Sequence, residues 1–276
     1  MYKEKIFVCG GDIRSVYAAE FFAANGYEVD TFGLKKETQK DLSCAKDADI
    51  VVLGLPCANG DMINMPLADC QVEIEELFEV LKKGTVVSAG AVNEKIRNAS
   101  QRCSLVINDY SQNEVFMEEN ALYTAEGTLC EIIQRTEKSL CDTRILVTGS
   151  GRIADALAIL LLSSPAKVTI CARSDTKRAR FCRMGFETLW PAGDMSEYDV
   201  IVNTVPCDII GEDSLKSIRK DALILDLSQR PGYVNKDLCQ KYCLNLVCLP
   251  GIPRLSAPRS AGEAIARAVL RGSLMC

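Results

Sequence analysis

The sequence predicts an α/β protein made of two doubly wound domains. Short apolar runs of β type alternate with helical patterns along the whole chain, which is the mark of parallel sheets covered by helices. A strand–glycine–helix opening occurs near the start of the chain and again near its middle. The length of 276 residues suits two domains, since single domains commonly hold about 100–150 residues.

The elements follow in order. "KIFVCGG" (5–11) reads as a strand ending in glycines, "SVYAAEFFAANG" (15–26) as a helix closed by Gly26, and "YEVDTFG" (27–33) as a second strand. "DIVVLGLP" (49–56), "GTVVSAG" (84–90) and "CSLVIND" (103–109) continue the series. "EGTLCEIIQRTEKSL" (126–140) has helical periodicity and reads as a connecting helix. The second half restarts at "TRILVTGSG" and continues through "AKVTICAR", "YDVIVNTVP", "ALILDLS" and "LNLVCLPG". "SAGEAIARAVLRGS" closes it as an amphipathic helix, with Ala261, Ala264, Ile265, Ala268 and Val269 on one face. The expected domains are residues 1–125 for substrate, 126–140 as connector and 141–276 for nucleotide, with the last helix able to pack back on the first domain.

Composition narrows the function. The apolar fraction is 48% and the charged fraction 25%, as in ordinary soluble globular proteins. No apolar run reaches the roughly 18–20 residues that span a bilayer, and "MYKEKIFVCGGD" lacks a signal-peptide layout. The expectation is a cytoplasmic protein with no membrane association. A net charge of −5 argues against general nucleic-acid binding. The chain has 14 cysteines and no histidine. No C-x-x-C occurs and the commonest zinc nitrogen ligand is missing, so no metal site is expected. Reduced thiols packed as small apolar side chains are the better reading.

The chemistry-bearing stretch is "ILVTGSGRIA" (145–154). Gly149, Gly151 and Ala154 match G-x-G-x-x-G/A directly after a strand and at the opening of a helix. The first glycine permits a tight turn, the second lets a pyrophosphate approach the backbone, and the small third residue lets helix and strand pack closely. The helix then turns unpaired N–H groups and a positive dipole end toward the phosphates. A plain βα turn without ligand is the competing reading. NAD-selective sites carry Asp or Glu about 20 residues further on. Here the second strand ends in Arg173-Ser174, with Lys177 and Arg178 close behind. A guanidinium and a hydroxyl suit a 2′-phosphate that a carboxylate would repel, so the cofactor expected is NADP. A solvated basic helix face is the alternative, and Asp175 counts against the ligand reading.

Strand-end loops "NTVP" (203–206), "DLSQRPG" (226–232) and "LPGIPRLSAPRSAG" (249–262) are placed to approach a ligand. Arg230, Arg254 and Arg259 are candidates for pairing carboxylates, because their forked donors are bidentate. The interdomain segment "ENALYTAEGT" adds Asn120, Thr124, Glu126 and Thr128. Glu126 is either a catalytic carboxylate or an acid favoured at a helix N-terminus. "CGGDIR" (9–14) could hold one carboxylate on Gly10, Gly11 and Arg14, or be a plain βα turn. Without histidine, a His–carboxylate 2-hydroxy-acid dehydrogenase is excluded. Any proton acceptor must be Glu, Asp, Lys, Tyr, a thiolate or water. Aromatisation of a dihydro ring would ask little of such a site.

These motifs together resemble the dipicolinate synthase A-subunit family. The resemblance rests on "GGDIR", "TAEGT", "GSGRIA" with "ARS", "NTVP", "LILDLSQRPG" and "LPGIPRLSAPRSAG", spread over nearly the whole chain. It departs from the family pattern at Arg254, where glycine is usual, and at Arg259, Cys207 and Tyr123. The resemblance implies an N-terminal flavodoxin-like domain and a C-terminal NADP-binding Rossmann domain. It implies oxidation of dihydrodipicolinate, or a close precursor, to dipicolinate in sporulation, with a flavoprotein-like second subunit as partner. On that reading Gly149, Ser150, Gly151, Arg152, Ile153, Arg173, Ser174, Lys177, Thr204, Pro206, Leu227 and Ser228 contact the cofactor. Arg14, Thr124, Arg254 and Arg259 hold a small dicarboxylate substrate, and Glu126 and Arg230 are catalytic. An NADP-dependent dehydrogenase of another small carboxylate, or an NADP-binding scaffold for a flavoprotein, remain the alternatives; a homo-oligomer is left open.

Overall fold

The run Lys5–Cys9 has one partly exposed residue and four buried ones, as a strand covered on both faces requires. This is β1, and the chain continues through α1 (Ile13–Ala24), β2 (Glu28–Phe32), β3 (Ile50–Leu53), β4 (Ala58–Asn59), β5 (Met62–Ile63), α2 (Ile74–Glu79), β6 (Val86–Ala89), α3 (Glu94–Arg102), β7 (Val106–Asp109) and α4 (Glu114–Arg135). The computed structural model describes residues 4–35, 41–191, 193–228 and 233–273. They fall into two units, Met1–Asn120 with Ala257–Cys276, and Ala121–Ser256.

In the N-terminal unit the main sheet is parallel, in the order β2-β1-β3-β6-β7. Counting only these five strands, the order is 2-1-3-4-5, the flavodoxin-like arrangement. The middle strands are almost wholly buried, whereas the edge strands β2 and β7 are largely exposed or half-buried. Phe7, Leu53, Leu77, Phe78 and Ile96 fill one side of the sheet. Each such side chain contributes about 1.5–3 kcal/mol by leaving water. The small antiparallel β4–β5 pair and the helices α2 and α3 were not legible from periodicity, because each is short.

The C-terminal unit runs through β8 (Arg144–Thr148), α5 (Arg152–Leu162), β9 (Lys167–Cys171), α6 (Asp175–Arg183), β10 (Glu187–Leu189), β11 (Val200–Asn203), α7 (Glu212–Ser217), β12 (Leu223–Asp226), α8 (Lys236–Lys241), β13 (Asn245–Cys248) and α9 (Pro253–Ser256). Its sheet is wholly parallel, in the order β10-β9-β8-β11-β12-β13. That is 3-2-1-4-5-6, the Rossmann order. The chain therefore holds two doubly wound α/β domains of different strand order.

One expectation about helices is corrected. The helix expected at 126–140 is α4, which begins at Glu114 and ends at Arg135. Gly127 lies well inside it. A Cβ there would stand 2.1 Å from Ile252 Cγ2 and 2.6 Å from Ser256 Oγ. Gly127 is thus a packing residue that lets α9 lie against α4. The last helix, α10 (Pro258–Ser273), packs along α1 within the N-terminal unit. Its face of Ala261, Ala264, Ile265, Ala268 and Val269 is buried.

Both sheets use one device at the start of their first strand. Asp49 Oδ2 accepts the Lys5 backbone N–H at 2.8 Å, and Asp199 Oδ2 accepts that of Arg144 at 2.9 Å. Asp199 also takes charged hydrogen bonds from Lys138 (2.8 Å) and Arg219 (2.7 Å). Burial alone would raise its pKa, but these donors outweigh it and hold Asp199 at about 2. The carboxylate stabilises the fold fully above pH ~4, and that contribution disappears as the pH falls toward 2. Lys138 and Arg219 are partly solvated, so the screened contribution is about 1–2 kcal/mol. Asp199→Asn is expected to lose that amount in urea unfolding at pH 7, with the difference from wild type closing near pH 2. A cavity of about 340 Å³ bordered by Arg135, Lys138, Asp199, Asp221 and Asn245 lies at this end of the sheet. It sits at the strands' N-terminal ends, opposite the glycine turn; Lys138 pairs with Asp199, and Arg219 bridges Asp199 and Asp221.

The 13 cysteines among the described residues are free thiols. Cys9, Cys57, Cys171 and Cys239 are buried in the cores, and burial pushes their thiols up to about 12, 11, 11 and 11 respectively.

Candidate functional site

The C-terminal ends of β8, β9, β11 and β12 gather most of the residues that the sequence singled out. Thr148 ends β8 and Gly149 turns the chain with φ +111°, in the region that disfavours any side chain. A Cβ on Gly149 would meet Thr204 Oγ1 at 2.3 Å and Val205 Cγ2 at 3.0 Å. Gly149 is therefore demanded by the fold itself. Gly151 is different. It has φ −88° and ψ −173°, which any residue adopts, and nothing lies within 4 Å of where its Cβ would be. No neighbour in the chain explains a glycine there. It is the N-cap of α5, no side chain caps that helix, and Ser150, Arg152 and Ile153 flank it. The first amides of α5 are thus presented beside an open backbone.

One strand over, β9 ends at Cys171 and the chain passes Arg173 into α6. Arg173 is exposed and its guanidinium has no partner among the described residues. Ser174 is the N-cap of α6: its Oγ accepts the Lys177 N–H at 3.4 Å. Lys177 Nζ is 3.9 Å from Asp155, which also takes a 2.7 Å bond from Arg180. Arg178, expected to add charge for a ligand, turns inward instead. It donates to the carbonyls of Ala172 (2.6 Å) and Arg173 (2.9 Å) and pairs with Asp175. Asp175, which counted against the cofactor reading, is thereby neutralised.

Beneath β11 and β12 lies a polar network that sequence reasoning passed over. Thr204 Oγ1 donates to the Thr148 carbonyl at 2.7 Å. Thr148 Oγ1 donates to Asn203 Oδ1 at 2.8 Å, and Asn203 Nδ2 donates to Asp226 at 3.0 Å. Ser228 Oγ donates to Asp226 at 2.5 Å, so this hydroxyl is held inward. Leu227 is buried and donates its N–H to the Asn203 carbonyl at 3.0 Å, whereas Pro206 is exposed. Asn203 and Asp226 each end an apolar strand with a polar residue, and that break in pattern was the available signal.

The expected substrate residues are distributed over both units. Thr124 is buried in α4, where its carbonyl accepts Thr128 Oγ1 at 2.7 Å. Glu126 is exposed in the middle of α4, which rules out the helix N-terminus alternative. Arg254 is exposed on α9. In the N-terminal unit Arg259 lies over the Tyr17 ring at 4.6 Å and 3.5 Å from Glu20, and its side chain is largely exposed. Arg14 is a correction. Its guanidinium is buried in a bidentate pair with Asp12 (2.9 and 2.8 Å) and donates to the Leu55 carbonyl. A ligand carboxylate would have to displace Asp12. Gly11 is likewise filled by its surroundings, since a Cβ there would meet Ser15 Oγ at 2.0 Å. The "GGDIR" stretch is thus a structural βα turn. Arg230 lies outside the described residues. No helix among the described residues is long and apolar enough to cross a membrane.

Residues 5–111 match the family model for the N-terminal domain of the dipicolinate synthase A-subunit. In this domain the chain is similar to the dipicolinate synthase A-subunit family. The A-subunit of dipicolinate synthase from Bacillus subtilis (strain 168) is 29% identical over 185 residues, covering 66% of this chain and 62% of that protein. The chain is thus matched to less than two thirds of that curated relative's length. The crystal structure of the same polypeptide of dipicolinate synthase from Bacillus subtilis superposes with a TM-score of 0.85 at 22% identity, covering 100% of this chain and 96% of that one. Its counterpart from Bacillus halodurans gives 0.83 at 20% identity, covering 97% of both chains. The apo-structure of D-lactate dehydrogenase from Escherichia coli gives 0.63 at 15% identity, covering 97% of this chain and 95% of that one. At these identities the dipicolinate synthase and dehydrogenase structures share the fold with this chain.

Proposed function

We propose that the chain is an NADP-dependent oxidoreductase of the dipicolinate synthase type, converting dihydrodipicolinate or a close precursor to dipicolinate. The contrast between the two glycines carries this reading. Gly149 is required by Thr204 and Val205, but Gly151 is required by nothing among the described residues. An open backbone at an uncapped helix N-terminus suits a pyrophosphate. Arg173 stands at the position where Rossmann domains select the ribose substituent. Its unpaired guanidinium suits a 2′-phosphate.

Bound NADP⁺ would supply the hydride acceptor. The chain's own groups do the rest. The amides of residues 151–153 bind phosphate, Arg173 and the Ser174 turn fix the adenosine end, and Thr204, Pro206, Leu227 and Ser228 border the nicotinamide end. Arg254 pairs a substrate carboxylate in the C-terminal unit, Thr124 supports it, and Arg259 and Arg230 are further carboxylate partners. Glu126 is the proton acceptor. A dihydropyridine loses one hydride and one proton to become aromatic, so this chemistry suits a chain that has no histidine. The name of the curated relative marks it as one component of a multi-subunit enzyme. We assign this chain a second subunit on that basis, flavoprotein-like as the family resemblance implies.

Calorimetric titration of NADP⁺ against NAD⁺ tests the cofactor. Arg173→Asp is expected to weaken NADP⁺ binding by roughly tenfold to a hundredfold, since a charged hydrogen bond contributes about 1.5–3 kcal/mol, and to reverse or abolish the preference. An unchanged preference would remove the assignment. Incubation with dihydrodipicolinate and NADP⁺, with the second subunit present, tests the substrate. No rise in pyridine absorbance would rule it out, and cofactor binding without turnover would point to a scaffold.

A further inference from the structure

Asp226 has an unusual setting. It ends β12 with 1% of its surface exposed. Oδ1 accepts Asn203 Nδ2 (3.0 Å), Ser228 N–H (3.1 Å) and Ser228 Oγ (2.5 Å). Oδ2 accepts the N–H groups of Tyr233 (2.9 Å) and Val234 (3.0 Å). All five donors are neutral, and no cation pairs with Asp226 among the described residues. The orientation of Asn203 is fixed from the far side. Its Oδ1 accepts Thr148 Oγ1 at 2.8 Å and the Val205 N–H at 3.2 Å, so its amide N–H₂ must face Asp226. Burial would raise the pKa of Asp226, but the bonds from Ser228, Val234 and Asn203 lower it below the usual carboxylate value. Five donors and no acceptor describe a built socket for an ionised carboxylate.

Its place in the fold gives that charge a use. β11 and β12 are the fourth and fifth strands of the 3-2-1-4-5-6 order. They belong to the second mononucleotide half, which takes the nicotinamide end of a dinucleotide. The oxidised nicotinamide ring is cationic and the reduced ring is neutral. We propose that Asp226 is a specificity-determining residue whose fixed negative charge favours the oxidised over the reduced nicotinamide cofactor. This inference rests on the NADP-binding reading above. A structural residue alone would affect both forms alike, so the ratio of the two affinities is the quantity that reports the charge. At an effective dielectric constant near 20, one charge roughly 10–12 Å away changes that ratio by roughly tenfold.

The experiment titrates NADP⁺ and NADPH into the full chain and into Asp226→Asn, Asp226→Ser and Asp226→Glu, with thermal unfolding to confirm the fold of each. The wild type is expected to bind NADP⁺ at least as tightly as NADPH. The preference for NADP⁺ should fall roughly tenfold in whichever neutral variant folds, and Asp226→Glu should retain it. Equal loss of both affinities, or an unchanged ratio, overturns the proposal. So does a wild type that binds NADPH more than about tenfold tighter, a result that needs no variant to fold. If the wild type binds neither form, the cofactor reading fails first and this inference falls with it. Binding of both forms with no shift in the variants sinks the inference alone.

Discussion

Gly149→Ala is expected to destabilise the C-terminal unit by about 3 kcal/mol, while Gly151→Ala leaves its stability within about 1 kcal/mol of wild type. The first change meets two obstacles together. Its φ of +111° is unfavourable for any Cβ, at roughly 1–3 kcal/mol. That Cβ would also press on Thr204 Oγ1 at 2.3 Å, and Thr204 is tied to the Thr148 carbonyl at 2.7 Å and cannot swing aside freely. The second change meets neither. Its φ of −88° is ordinary and the Cβ enters open space. Reduced chain entropy in the unfolded state can even stabilise it by about 0.4–1 kcal/mol. On the functional reading, Gly151→Ala nonetheless weakens NADP⁺ binding by about a hundredfold, because the methyl group takes the place of the pyrophosphate. Urea unfolding and calorimetry on the same two variants check both halves. Normal cofactor affinity in Gly151→Ala would show that this glycine serves no ligand.

Gly262→Ala is expected to cost the N-terminal unit about 3 kcal/mol. Its Cβ would lie 2.4 Å from the Arg14 carbonyl oxygen and 2.6 Å from Tyr17 Cβ. Both obstacles belong to α1 and are backbone or backbone-proximal, so no rotamer change relieves them. The helices must separate instead, which loosens the buried face of Ala261, Ala264, Ile265 and Ala268. Arg14 is already fixed by Asp12 and the Leu55 carbonyl, so α1 cannot shift without disturbing that buried pair. Thermal unfolding followed by hydrogen exchange in α1 and α10 would read the loss. Wild-type stability would mean that the two helices do not approach as closely as described.

The alternation of strands and helices was legible because the central strands are buried on both faces and leave long apolar runs. Elements of two to six residues, such as β4, β5 and α2, carry too little period to stand out. β10, with three residues, has the same difficulty, although it completes the Rossmann order. The start of α4 at Glu114 was missed, and Gly127 inside it serves a neighbour across a contact that one dimension does not show. Site reading followed the same division. The glycine turn and Arg173 depend on local spacing and were visible. The inward commitment of Arg14 and Arg178 depends on partners that only folding supplies. Asn203 and Asp226 were passed over because a buried polar pair at two strand ends has meaning only once those strands are neighbours.

The placement of α10 sets an order of events during synthesis. Residues 121–256 form an uninterrupted unit and can fold as soon as they leave the ribosome. The unit encoded first has its last helix encoded at residues 258–273. Chains usually fold from the N-terminal domain onward as they are made. Here the earlier-made half waits with one side of α1 uncovered until residues 258–273 have been made, which is the interval in which a chaperone would find its target.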